Sequence, residues 1–152
     1  MIQDFEKIRI GDFVYVDKTH LIYNLAKRDG YYFLSRPRRF GKSLLVSTME
    51  AYFSGRKDLF KGLEIEKLEQ EWESYPVLRF DLSGASYTAL NVLNAKLGAT
   101  LSKYEQLYSE QSSEPVLSVR FASLIQAARA KTGRKVVILI DEYDKPIIDN
   151  LD

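Results

Sequence analysis

The chain has 152 residues, 45% of them hydrophobic, so it can bury one ordinary core and a single domain is expected. Its 22 basic and 21 acidic side chains leave a formal net charge of +1, which gives no field of one sign that would attract nucleic acid. The absence of cysteine excludes disulfides, thiolate zinc sites and a cysteine nucleophile. The single histidine, His20, cannot form a multi-histidine metal site.

Neither the first residues nor the apolar runs of the sequence indicate a signal peptide or a membrane-spanning segment. Residues 1–7 carry acids where a signal peptide would need a basic start and an apolar run. The longest aliphatic run, residues 136–140, is far too short to span a bilayer. We therefore expect a soluble, cytoplasmic protein without a membrane partner.

In the first third of the chain, short apolar runs alternate with a helical pattern. Residues 13–16 predict a short strand, and Asp17 is placed to cap a following helix that carries Leu21, Ile22 and Leu25 on one face. Residues 31–35 are apolar without alternation, as in a parallel strand covered on both faces.

A second helix is predicted from the apolar spacing of residues 44–53, ending at Ser54-Gly55, where glycine suits a C-terminal cap. Residues 56–75 mix charged and apolar side chains, and we expect short irregular helices there that pack around Trp72.

The remaining chain predicts two strands separated by two helices. Residues 77–82 and 136–140 are the strands. The first helix has an apolar stripe at Leu90, Leu93, Leu97, Leu101, Tyr104 and Tyr108. The second buries Leu117, Phe121, Leu124, Ile125 and Ala128 and closes at Gly133. The alternation predicts an α/β fold with a mostly parallel sheet and a ligand site at the carboxyl ends of its strands.

A phosphate-binding loop is predicted at residues 35–43, between the buried strand and the amphipathic helix. Unpaired N–H groups at a helix start bind phosphate oxygens. Gly41 permits close backbone approach, Lys42 can reach the β- and γ-phosphates, and the Ser43 hydroxyl suits magnesium. Arg36 stands where the usual pattern has its first glycine, and a lone Gly-Lys-Ser also fits an ordinary helix start with a solvated lysine.

A second motif lies at the end of the last strand. Asp141 is placed to hold hydrated magnesium, and Glu142 to orient and deprotonate an attacking water. The alternative is an acidic cluster that merely ends a strand. Because this motif is independent of the loop, the two together predict a site for a nucleoside triphosphate and Mg²⁺.

Three arginines, Arg36, Arg38 and Arg39, crowd the loop. Their planar forks of donors suit phosphate oxygens or transition-state charge. Solvated arginines explain the pattern equally well, and we select Arg39 as the nucleotide contact.

These motifs resemble the bacterial AAA-ATPase-like domain family of predicted P-loop ATPases. The resemblance covers residues 15–19 (YVDKT), 35–44 (SRPRRFGKSL), 77–83 and 139–146 (LIDEYDKP), nearly the whole chain. It implies a three-layer α/β/α P-loop NTPase fold in which the arginine-rich loop is the normal Walker A form.

The same resemblance implies the role of each site residue. Lys42 matches the phosphate position, Ser43 and Asp141 the magnesium ligands, and Glu142 the catalytic base. The nucleotide-binding residues would be Arg38, Arg39, Phe40, Gly41, Lys42, Ser43 and Leu44.

Residues 1–152 are accordingly expected to form one AAA-ATPase-like domain, with an N-terminal strand and helix in 1–30 and a nucleotide-binding core in 31–152. The resemblance also implies a larger protein, with more ATPase core and often a nuclease-like domain downstream. We therefore hypothesise a fragment whose sheet is incomplete after the Walker B strand. An exposed strand edge of that kind invites self-association.

Several functions remain open at this point. The leading hypothesis is an ATPase that drives attached domains, and its main rival is a nucleotide-binding switch or interaction module with little or no hydrolysis. A small-molecule kinase would need an acceptor pocket and a lid that so short a chain does not offer. A purely structural module would leave Lys42 and Asp141 without a purpose.

Overall fold

The computed structural model describes residues 4–27, 42–81, 90–108 and 112–141. It divides the chain into two compact units, Met1–Ser74 and Tyr75–Asp152. Each unit is described by itself.

The first unit is helical where it is described. Its elements are α1 (Phe5–Ile10), α2 (Thr19–Ala26), α3 (Lys42–Phe53), a 3₁₀ turn (Lys57–Phe60) and α4 (Glu64–Leu68). Helix α1 starts where the Asp4 carboxylate accepts the Lys7 N–H at 3.0 Å, which satisfies one of the unpaired donors of the first turn. Helix α1 packs on α3, and α2 packs on α4.

Aromatic rings fill the centre of this unit. Phe5 and Phe60 are fully buried, with ring centroids 4.8 Å apart. The Trp72 ring lies 5.2 Å from Phe60 and 5.8 Å from Tyr52. The prediction of short helices packed around Trp72 is therefore confirmed.

Two predictions in the first unit are wrong. Residues 13–16 form no strand, and Leu21 is exposed instead of sharing a buried face with Ile22. The Tyr15 ring packs edge-on against Phe5 at 5.2 Å, whereas Val14 is 94% exposed. One anchored aromatic residue between exposed valines thus gives the alternation of a strand without any strand pairing.

The second unit is a parallel β-α-α-β arrangement. Its elements are β1 (Val77–Asp81), α5 (Leu90–Tyr108), α6 (Leu117–Thr132) and β2 (Val137–Asp141). The two strands pair in parallel from Val77↔Val137 to Asp81↔Asp141. Helix α6 ends at Gly133, whose φ of 70° is the left-handed conformation that favours glycine.

The described residues therefore form a mixed α/β structure with six α-helices and a parallel sheet of two strands. This agrees with the predicted order of helices and strands from α3 onward. The predicted strand at residues 31–35 lies outside the described residues, and the three-layer P-loop arrangement stays a prediction.

The core of the second unit lies between β1 and the helices. Its buried members are Leu78, Phe80, Leu101, Tyr104 and Leu124. The Tyr104 hydroxyl accepts the Arg79 N–H at 2.9 Å and donates to the Arg79 carbonyl at 3.3 Å, which holds β1 to α5. These contacts fix the strand that lies beside the one ending at Asp141.

A buried ion pair joins α5 to α6. Arg120 Nη2 lies 2.6 Å from Glu105 Oε1 and 3.1 Å from Ser102 Oγ. The Glu105 side chain is 2% exposed and the Arg120 side chain 12%. The hydrogen bond to Glu105 raises the pKa of Arg120 above its ordinary value.

Candidate nucleotide site

The helix predicted to follow the phosphate-binding loop is present and begins at Lys42. Lys42 and Ser43 are the first two residues of α3 that the structure describes, and the N–H groups of the first turn of a helix have no partner within the helix. The structure describes only their backbone. Arg38, Arg39, Phe40 and Gly41 lie outside the described residues.

Leu44 is the last of the predicted nucleotide-binding residues, and its carbonyl accepts hydrogen bonds from two side chains. It accepts the Ser47 hydroxyl at 2.9 Å and the Thr48 hydroxyl at 2.7 Å. Ser47 and Thr48 are buried in the middle of α3. Sequence reasoning missed both, although two adjacent hydroxyl residues inside an apolar helical pattern are a signal, because such side chains compete for backbone hydrogen bonds.

The carboxyl end of the sheet carries two aspartates in register. Strand β2 ends at Asp141 and β1 ends at Asp81, and the two residues are direct partners across the parallel pair. Neighbouring strands lie about 4.8 Å apart, so these two backbones are adjacent. The structure describes only the backbone of Asp141, and Glu142 lies outside the described residues.

The predicted metal ligands, the Ser43 hydroxyl in α3 and the Asp141 carboxylate in β2, are of the kind that suits magnesium. Mg²⁺ prefers oxygen ligands, and a serine hydroxyl with a carboxylate supplies them. Within the described side chains, no three His, Asp or Glu residues form a group that could hold a metal ion. Ser43 belongs to the first unit and Asp141 to the second, and a joint magnesium site stays a prediction.

The YVDKT motif joins two helices of the first unit. Asp17 Oδ1 accepts the Thr19 N–H at 3.0 Å and the Thr19 hydroxyl at 2.7 Å. Asp17 Oδ2 accepts the Glu64 N–H at 2.7 Å, and the Thr19 hydroxyl oxygen accepts the Ile65 N–H at 3.1 Å. Asp17 and Thr19 thus cap the starts of both α2 and α4.

Two titratable groups of this motif have shifted pKa values. Burial raises the pKa of Asp17, but the hydrogen bonds from Thr19 and Glu64 together lower it by more. The pKa of Asp17 therefore lies below its ordinary value. Burial raises the pKa of the Tyr15 phenol above its ordinary value, against a smaller lowering effect of the nearby Thr48 hydroxyl. The prediction that Asp17 is the N-cap of α2 is wrong by one residue, because Lys18 occupies that position, although the Asp17 carboxylate still accepts the first N–H of the helix, that of Thr19.

Comparison with known proteins gives a family and one long relative. The model of the AAA-ATPase-like family, described as "Predicted AAA-ATPase", matches residues 1–152. The chain is 42% identical over 151 residues to a protein of Azotobacter chroococcum mcd 1 described as "Uncharacterized protein in vnfD 5'region". That match covers 99% of this chain and 29% of the relative, so the chain spans less than a third of the relative's length. No solved structure matches the chain.

The longest described helix, α5, has 19 residues, and no described helix is both long and apolar enough to cross a membrane.

Proposed function

Because the chain belongs to the AAA-ATPase-like family, we propose that it binds ATP together with Mg²⁺ and hydrolyses the γ-phosphate. The observation that carries the proposal is helix α3, which the structure describes from Lys42 onward, next to the predicted phosphate-binding loop. A helix start in that position presents backbone N–H groups and a positive dipole end to an anion. The family match over the whole chain supports the same reading.

Each residue has a role in the proposed reaction. The N–H groups at the start of α3 and the Lys42 ammonium group bind the β- and γ-phosphate oxygens, and Arg38 and Arg39 add positive charge to the loop. Ser43 and Asp141 hold Mg²⁺, which when bound neutralises charge on the phosphates.

Glu142 orients a water molecule and accepts its proton as the water oxygen attacks the γ-phosphorus. The bond from that phosphorus to the bridging oxygen breaks, and the products are ADP and inorganic phosphate. The protein residues therefore bind the nucleotide, orient the attacking water and accept one proton from it.

We further propose that this ATPase acts on domains elsewhere in longer family members, such as the nuclease-like domain expected downstream. The proposal rests on the length of the relative, of which the chain covers only 29%, so most of that protein lies outside the matched region. The rival function is a nucleotide-binding switch that hydrolyses little. In that case binding alone would shift the population between two conformations.

Calorimetry with ATP, with and without magnesium, tests binding. Lys42→Ala should abolish measurable binding, whereas Lys57→Ala, an exposed lysine in the same unit, should leave it unchanged. No binding by the parent chain, or equal binding by Lys42→Ala, would refute the site.

Phosphate release tests hydrolysis. Glu142→Gln should abolish turnover and keep ATP binding, and Glu71→Gln, at an exposed position, should keep both. Tight binding with no turnover by the parent would favour the switch, and unchanged turnover by Glu142→Gln would exclude that residue as the base.

A further inference from the structure

We propose that residues 12–18 are an interface for a second copy of this chain, in which the same residues of the two copies pair as antiparallel strands. The interface includes residues 13–16, which the sequence predicts as a strand and which have no strand partner among the described residues. This inference goes beyond the proposed function and needs no nucleotide, so either can fail without the other.

The segment presents apolar side chains to solvent. Of the six large hydrophobic side chains that the described part of the first unit exposes, five lie within residues 10–21. Val14 is 94% exposed and Val16 is 72% exposed. Single exposed apolar residues are ordinary, but a group of them close together indicates an interaction surface.

Exposure alternates along the segment, as on an extended chain that packs by one face. The Tyr15 ring packs on Phe5 at 5.2 Å, and Asp17 accepts the Glu64 N–H at 2.7 Å. Successive side chains of an extended chain point to opposite faces. The inner face is therefore held by α1 and α4, and Val14 and Val16 share the outer face.

The main-chain groups on one edge of the segment are available for pairing. The Phe13 N–H donates to the Ile8 carbonyl of α1 at 3.0 Å. Because neighbouring residues of an extended chain direct these groups to opposite edges, Val14 and Val16 direct theirs away from α1. Among the described residues, the N–H and carbonyl groups of Val14 and Val16 have no hydrogen-bond partner. This edge is therefore that of an unpaired strand.

Antiparallel pairing about a two-fold axis at Tyr15 makes the segment complementary to itself. Val14 then lies opposite Val16 of the second copy, and the two valines exchange both of their N–H···O bonds. Asp12 lies beside Lys18 of the second copy, and both are exposed. The backbone turns at Asp12 with a φ of 55°, and the long Lys18 side chain can reach the carboxylate from the neighbouring position.

This complementarity favours a second copy as the occupant. An antiparallel pair shifted by two residues would set Val16 opposite Asp12, or Val14 opposite Lys18. A parallel pair in register would set like charges side by side, which is destabilising. The two-fold antiparallel pair matches apolar with apolar and acid with base, a symmetry that a strand of another protein would not need.

Sedimentation velocity over a range of concentrations measures the association. We expect an equilibrium between monomer and dimer, and a weak one, because small interfaces are transient. Val14→Lys places a charge at the centre of the interface and should raise the dissociation constant by about tenfold. Far-UV circular dichroism checks that the variant is folded, as expected for so exposed a position.

Val119→Lys is the matched control, because Val119 is a valine 47% exposed on α6 of the second unit. Its dissociation constant should stay within about twofold of the parent's. A parent that is monomeric at every concentration, unchanged association in Val14→Lys, or an equal loss in both variants would overturn the inference. The second of these outcomes includes association through an edge of the sheet.

A charge exchange tests the register and the identity of the occupant. Asp12→Lys and Lys18→Asp each set like charges at both ends of the interface, and each should weaken association by about tenfold. Mixed in equal amounts, the two variants meet with opposite charges and should form a heterodimer of about parental affinity. No gain in association on mixing would overturn the pairing of two copies.

Discussion

Replacing Arg120 by methionine is expected to destabilise the second unit by about 3–5 kcal/mol, because it leaves the Glu105 carboxylate buried without its partner. Arg120 holds Glu105 through two bonds, from Nη2 to Oε1 at 2.6 Å and from Nε to Oε2 at 3.4 Å. With the Glu105 side chain only 2% exposed, water cannot replace them. A loss of about 3 kcal/mol corresponds to a fall in Tm of roughly 12–24 °C for a domain of this size.

Urea and thermal unfolding followed by far-UV circular dichroism measure this loss. Arg129→Met is the control, because Arg129 is exposed on the same helix and its replacement should cost below about 1 kcal/mol. Replacing both partners, Arg120→Met with Glu105→Leu, should recover most of the stability, since no buried charge remains. A loss below about 1 kcal/mol in Arg120→Met, or a double variant as unstable as the single one, would refute the reasoning.

Three further outcomes are expected. Asp17→Ala should cost about 2 kcal/mol in urea unfolding, because one carboxylate caps α2 and α4, and a change below about 0.5 kcal/mol would contradict that double role. Burial raises the pKa of Glu69, but hydrogen bonds from the Tyr52 hydroxyl and the Glu71 N–H and the nearby Lys27 charge lower it below its ordinary value. The stability that Glu69 supplies should therefore be complete above about pH 4.3 and lost as the pH falls through the folded-state pKa. The free energy of unfolding of Glu69→Gln should fall less steeply with acid than that of the parent. An equally steep fall would show that Glu69 does not contribute to the acid sensitivity. Light scattering should show concentration-dependent self-association through a strand edge of the sheet, and a monomer with one sharp thermal transition would count against it.

Elements with strong apolar periodicity could be predicted from the sequence. Helices α3, α5 and α6 and both described strands lie within a residue or two of their predicted bounds where they are described. Gly55 and Gly133 both end helices with positive φ, as their positions indicated. In these segments the local pattern and the tertiary packing favour the same structure.

The wrong prediction of a strand at residues 13–16 shows what local patterns cannot predict. A strand needs a neighbour, and period-two alternation cannot show whether one exists. Here the Tyr15 ring packs on Phe5, ten positions away in the sequence, and no local pattern contains that contact. The buried hydrogen bond from the Phe5 N–H to Ser47 Oγ was missed because it too is non-local.

For the candidate site, the sequence supplied residue types and the structure supplied part of their framework. The structure describes a helix from Lys42 onward and a strand up to Asp141, the two kinds of element that the motifs predicted there. Asp81 was left without a role, because its register with Asp141 depends on which strands pair and in which direction. That information is non-local.

The hydroxyl of Tyr104 has a consequence for how the sheet can be extended. In a parallel pair, alternate residues of a strand direct their N–H and carbonyl toward the neighbour, and the carbonyl of Pro76 accepts the Val137 N–H at 2.9 Å. Arg79, of opposite parity, directs both groups outward, and Tyr104 binds both. A tyrosine of the chain itself therefore protects the outer edge of β1 from an incoming strand. A strand added to this sheet is therefore expected to pair more readily with β2, the strand that carries Asp141, than with the edge of β1 at Arg79.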